Sequence, residues 1–195
     1  MHNYPAIFSQ YPSDRLIGME IGGTHQDQLP VSMRLWDDVL SHFAPTRPFW
    51  GFASSDIHGV RSVAPGRATF LTELLALQNS PNNINDCIVN GKSFCYRRWS
   101  ASPSHTRPNP SIRDIIVNRA KKTITVDVAP DSSGYPPHEI KWISYGKVIS
   151  DEWTIDLEKS NAQKYVRFEI TSFTSAGHEN RFTQLFSQPF MIQRR

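Results

Sequence analysis

Apolar and polar positions follow two different periods along this chain, and the period changes near its middle. The run RLIGMEIGG, residues 15–23, is apolar and ends in glycines, which predicts a short buried strand. From Ser32, a residue type that caps helices, Leu35, Trp36, Val39, Leu40 and Phe43 recur at helical spacing while Asp37 and Asp38 fall on the other face. That pattern predicts an amphipathic helix packed on a sheet. Pro45 and Pro48 end it, and residues 49–53 read as a second strand, apolar on both faces and so covered on both sides. VAPGRATFLTELLALQ supplies a turn at Pro65 and Gly66, then a second helix with Phe70, Leu71, Leu74, Leu75 and Leu77 inward. A third, short helix is expected from Asn83 to Asn90, closed by Gly91. Strand, helix, strand, helix is the order of an α/β region with parallel strands.

The composition shifts at SASPSHTRPNP, residues 100–110, where prolines and serines leave little to bury. Beyond it the helical period is gone. SIRDIIVNRA, KTITVDVA, HEIKWISYGKVI, EWTIDLE, KYVRFEITSFT and TQLFSQPFMIQ alternate at intervals suited to antiparallel strands. The expected organisation is an α/β region over residues 1–100, a linker over 101–110 and a small antiparallel β-sandwich over 111–195.

With 195 residues, 38% apolar and 20% charged, the chain can bury a core without disulfide staples, and it has no apolar run long enough to cross a bilayer. The net charge of +3 does not mark a nucleic-acid groove. Residues 1–106 balance at 8 Lys+Arg and 8 Asp+Glu, and residues 107–195 carry 13 and 10, scattered through alternating segments as on a solvated surface. Cys87 and Cys95 lack CxxC spacing and read as small buried side chains. The opening MHNYPAIFSQYPSDRLIGMEI has neither a basic start nor a continuous apolar core, so it does not read as a signal peptide. There is no GxSxG elbow and no glycine-rich phosphate loop.

The chemistry concentrates in PFWGFASSDIHG, residues 48–59, where a strand ends in Asp56 and His58. Side chains at i and i+2 of an extended strand share a face, so this carboxylate and imidazole can converge on one point, and the pair suits zinc, iron or manganese. The alternative is that Asp56 caps a turn and His58 is a partly buried ring.

RLIGMEIGG, RLWDDVLSHF, PFWGFASSDIHG, APGRATFL and NGKSFCYRRW, in that order, resemble the C-terminal part of a PHP domain, the polymerase and histidinol phosphatase family. The strand carrying D-x-H resembles the family's last metal-binding motif, and the tail, with YVRFE (165–169) and SQPF (187–190), resembles the β-domain that follows it in some members. The resemblance implies the end of a distorted (β/α)7 barrel. It also implies divalent ions (Zn, Mn or Fe) held in part by Asp56 and His58, with water attacking a phosphate ester. Glu20 matches an acidic position beside the site, and His25 lies in a loop near the first strand. The family's opening H-x-H motif is not present, so the resemblance implies a partial phosphoesterase, inactive or weak alone. A binding module on a degenerate scaffold is the alternative. A barrel lacking its early strands would leave an open strand edge near Met19 or Phe52, which invites self-association or pairing with a missing N-terminal half.

Overall fold

The computed structural model describes residues 3–23, 29–54, 69–98, 110–129, 138–173 and 182–193. After a short helix α1 (Tyr4–Phe8), strand β1 (Gly18–Gly22), helix α2 (Leu29–Phe43) and strand β2 (Trp50–Ala53) form a strand–helix–strand unit with the two strands parallel. The sequence predicted this much. Ser32 is not the cap, however, because α2 already begins at Leu29. Trp36, Val39 and Leu40 are fully buried on its inner face, and Trp36 Nε1 donates to Phe49 O at 2.9 Å, fixing the middle of the helix against the entry to β2.

No closed barrel is present among the described residues, and the expected alternation of strands and helices stops after β2. Residues 69–74, predicted helical, are strand β3 (Thr69–Leu74). After it, α3 (Pro81–Val89) starts with Ser80 accepting the Asn83 amide and Pro81 in the first turn, and it ends beside Gly91 at φ +62°. A side chain at Gly91 would collide with the Trp50 ring, 2.6 Å from the Cβ position. Strand β4 (Ser93–Arg98) then pairs antiparallel with β3.

The rest is antiparallel β: β5 (Ile112–Asn118), β6 (Thr123–Val128), β7 (Glu139–Ser144), β8 (Lys147–Ser150), β9 (Thr154–Asp156), β10 (Tyr165–Phe173), β11 (Phe182–Ser187) and β12 (Phe190–Met191). Tyr145 and Gly146, at φ +54° and +68°, make the tight turn between β7 and β8. One sheet runs β3-β4-β11-β10-β7-β8, with β12 continuing alongside β10, and a second runs β5-β6-β9. The expected linker lies almost wholly in 99–109, outside the described residues. Strand β4, which precedes it, pairs in the larger sheet with β11 from the C-terminal half, with Cys95 opposite Phe186 and Tyr96 opposite Leu185. The two expected units therefore share one sheet.

Strand alternation divides the core in two. Tyr165 on β10, Phe186 on β11, Cys95 on β4 and Phe70 on β3 pack with Trp36, Leu40, Phe49 and Ile21. Their neighbours Val166, Leu185, Tyr96 and Phe94 point the other way and pack with Trp142, Phe168, Ile124, Val126 and Ile155. The large sheet is thus a middle layer, with the β1–α2–β2 unit on one face and the three-stranded sheet on the other. This explains the misread segment at 69–74. Phe70 faces one layer and Leu71 the other, so the strand is apolar on both faces and lacks the period of two. Among the described residues no helix is long and apolar enough to cross a membrane.

Candidate functional site at the tips of the parallel strands

β1 and β2 run parallel with Met19 beside Gly51 and Glu20 beside Phe52, so their C-terminal ends finish together. This is the end where open α/β sheets place their chemistry. Ser54 follows β2 directly; its amide donates to Gly22 O at 2.9 Å and its hydroxyl donates to Glu20 Oε1 at 2.8 Å. Both side chains are exposed. Gly23 leaves room for the carboxylate, since a Cβ there would lie 2.8 Å from Glu20 Oε1.

Among the described residues no strand pairs with the opposite edge of β2, yet its outward polar groups are satisfied. The Gly51 amide donates to Gln188 Oε1 at 2.9 Å, and Gln188 Nε2 donates to Gly51 O at 2.7 Å and to Ser93 Oγ at 2.9 Å. The Ala53 amide donates to Thr72 Oγ1 at 2.7 Å, and that hydroxyl donates to Ala53 O at 2.9 Å. Cys95 Sγ donates to Gly51 O at 3.2 Å. Burial pushes the Cys95 thiol up to about 12, despite contacts with Thr72 and Ala53 that lower it, so Cys95 is no nucleophile. The open edge expected near Phe52 is closed by side chains. Gly51 itself approaches α2 so closely that a Cβ would sit 2.7 Å from Ile21 and 2.9 Å from Trp36.

Of the predicted site residues, Glu20 is described: it is the middle residue of β1, and its carboxylate accepts the Ser54 hydroxyl. Asp56, His58 and His25 lie outside the described residues. Among those described, no three His, Cys, Asp or Glu side chains cluster as metal ligands do. His42 packs edge-on against Phe43, and His138 Nδ1 is hydrogen-bonded to Ser172 Oγ at 2.6 Å, so neither serves the tip. Thr72 and Gln188 were missed, because nothing local in a sequence marks a polar side chain that replaces a neighbouring strand.

Asp37 was also misplaced. The helical pattern put it on the solvent face, but it is 4% exposed and bound to Arg167, itself 2% exposed. Arg167 donates from Nε to Asp37 Oδ1 at 2.9 Å, from Nη2 to Oδ2 at 2.7 Å, and from Nη1 to Glu169 Oε1 at 2.5 Å; Tyr165 donates its hydroxyl to Asp37 Oδ1 at 2.9 Å. Burial works against the Arg167 charge, but Asp37 and then Glu169 hold its pKa above the ordinary value. Burial, then the Asp37 charge, raises that of Tyr165. The arrangement ties α2 to the middle layer and engages all three guanidinium nitrogens. A groove of about 730 Å³ beside the β7–β8 hairpin is lined by Lys147, Glu158, Asn161 and Gln163 and shares no residue with the strand tips. Its acid is paired with Lys122, so the tip, with its exposed carboxylate, is the better candidate.

Compared with known proteins, the chain matches no family model, no curated protein and no solved structure.

Proposed function

We propose that the tips of β1 and β2 hold a divalent cation, zinc, manganese or iron, in a site for hydrolysis of a phosphate ester, with Asp56 and His58 as ligands and Glu20 beside them. The observation that carries this reading is the Ser54–Glu20 hydrogen bond, which fixes an exposed carboxylate at the joint C-terminal end of two parallel strands, two residues before Asp56. The donor set fits such a cation: hard carboxylate oxygens and one imidazole. The resemblance of GFASSDIHG to the last metal-binding motif of the PHP family supports the same assignment. A bound ion of this class would lower the pKa of water and neutralise phosphoryl charge. This chain's residues orient the carboxylate through Ser54 and leave space for it at Gly23. Catalytic zinc normally takes three protein ligands, so two from the D-x-H pair give weak binding and little turnover by the chain alone.

A second reading, a binding module without catalysis, is favoured by the ligand count of the D-x-H pair, two where catalytic zinc normally takes three. Metal content after dialysis in manganese or zinc, and hydrolysis of p-nitrophenyl phosphate, measured on wild type, Asp56→Ala and His58→Ala, separate the two. Loss of metal in both variants supports the site. Equal metal in all three proteins overturns it, and metal-dependent turnover in wild type that both variants lose rules out the binding module.

A further inference from the structure

We infer that a small pocket between the first half of α2 and the β7–β8 hairpin binds a zwitterion of the α-amino acid class with an apolar side chain, its ammonium facing Glu169 and its carboxylate facing Arg34. The pocket shares no residue with the strand tips and does not depend on the reading given for them. It holds about 290 Å³, at the small end of ligand cavities, which suits a molecule of a few carbons and is too little for a nucleotide.

Pro30, Met33, Arg34 and Asp37 recur at i, i+3, i+4 and i+7 of α2, so they form one stripe of the helix and one wall of the pocket. Arg167 and Glu169, two apart on β10, turn to the same face of the sheet. Ile143, beside Arg167 in the ladder, and Val148 of the hairpin complete the apolar lining with Met33. Val148 is 58% exposed, and a ligand side chain lying here covers it.

Charge sets the polarity of the ligand. Asp37, Arg167 and Glu169 are joined by hydrogen bonds and together carry one negative charge. Glu169 gives Oε1 to Arg167, and its Oε2 has no partner among the described residues, so it is left to accept. Lys141 stands across from Glu169 in the ladder but does not line the pocket and forms no ion pair with it. Arg34 is exposed and, among the described residues, has neither a hydrogen bond nor an ion pair. The lining is therefore neutral in sum, anionic at the buried network and cationic at Arg34. A ligand with a net charge leaves one end unmatched, whereas a zwitterion matches both. Its ammonium donates to Glu169, where Asp37 offsets the charge of Arg167, and its carboxylate takes the planar fork of Arg34.

The test is isothermal titration calorimetry on the full chain with L-leucine and three analogues: 4-methylpentanoate, which lacks the ammonium, 3-methylbutylamine, which lacks the carboxylate, and glycine, which lacks the apolar side chain. Wild type is expected to bind L-leucine, and each analogue about tenfold or more weakly, the cost of losing a hydrogen bond between charged groups or the burial of an isobutyl group. Arg34→Gln should weaken L-leucine about tenfold and leave 3-methylbutylamine unchanged, while Glu169→Gln should weaken L-leucine equally and leave 4-methylpentanoate unchanged. Lys147→Gln, in the neighbouring groove, alters no affinity. Arg34 is exposed and without a partner among the described residues, so its substitution reads the site without disturbing the buried network. No binding of L-leucine by wild type overturns the inference, as does an L-leucine affinity that Arg34→Gln leaves unaltered. An amine or carboxylate analogue that binds as tightly as L-leucine overturns it too.

Discussion

Asp37 on α2 and Arg167 on β10 meet through two hydrogen bonds of 2.9 and 2.7 Å although 130 residues separate them. The guanidinium also lies 5.3 Å from the Trp36 ring centroid, so the pair sits inside the interface it joins. Removing one member of a buried ion pair strands the other charge, whereas replacing both with apolar groups removes the desolvation cost as well. Asp37→Ala is thus expected to destabilise by about 3–5 kcal/mol. Asp37→Leu combined with Arg167→Met should recover much of that loss. Urea unfolding midpoints measure both.

Cys95 carries the clearest pH dependence. Its thiol is raised from 9.0 to about 12 in the folded chain, so the folded state keeps the proton in a range where the unfolded state has released it. The resulting stability is fully present below pH 9 and is lost as pH rises from 9 toward 12. Between pH 8 and pH 10, wild type should lose about 1 kcal/mol more than Cys95→Ala. Denaturant titrations of the two proteins at both pH values check this.

The β4–β11 ladder makes the two halves inseparable in the native state. A specific protease site introduced between residues 104 and 105 and then cleaved should leave both fragments co-eluting on gel filtration, and they should separate only in denaturant. Fragments that separate in buffer would mean that the ladder does not join them.

Phe168 lies against Trp142 at a ring-centroid distance of 5.3 Å and against Phe190 at 6.1 Å, with no exposure. Phe168→Ala should cost about 3–5 kcal/mol, because the sheets on either side cannot both close on the space. Ser54→Ala, by contrast, removes only the exposed bond to Glu20 and should change stability by about 1 kcal/mol or less. Thermal unfolding of the two variants compares a core position with a site position.

The strands of the C-terminal half were legible because each of β5, β6, β7 and β10 follows a short run of β-branched and aromatic residues bounded by turn residues. Helix α2 was legible from its apolar stripe, and the parallel unit from strand–helix–strand order. The helix expected at 69–77 failed for a physical reason: Phe70 is buried in one layer and Leu71 packs, partly buried, against the other, and a strand covered on both faces carries no period that distinguishes it from a helix. The barrel implied by resemblance failed with it, since β3 pairs antiparallel with β4 instead of extending a parallel sheet.

Of the candidate site, the sequence suggested Asp56, His58 and Glu20, all within forty residues of one another, and of these the described residues include Glu20. Local periodicity and residue type determine which segments are strands or helices, because they report only on which face each residue turns inward. Which strands become neighbours is decided by long-range pairing, which periodicity does not encode. The tertiary structure alone therefore placed β4 beside β11, turned Asp37 inward to meet Arg167, and brought Gln188 to the amide and carbonyl of Gly51.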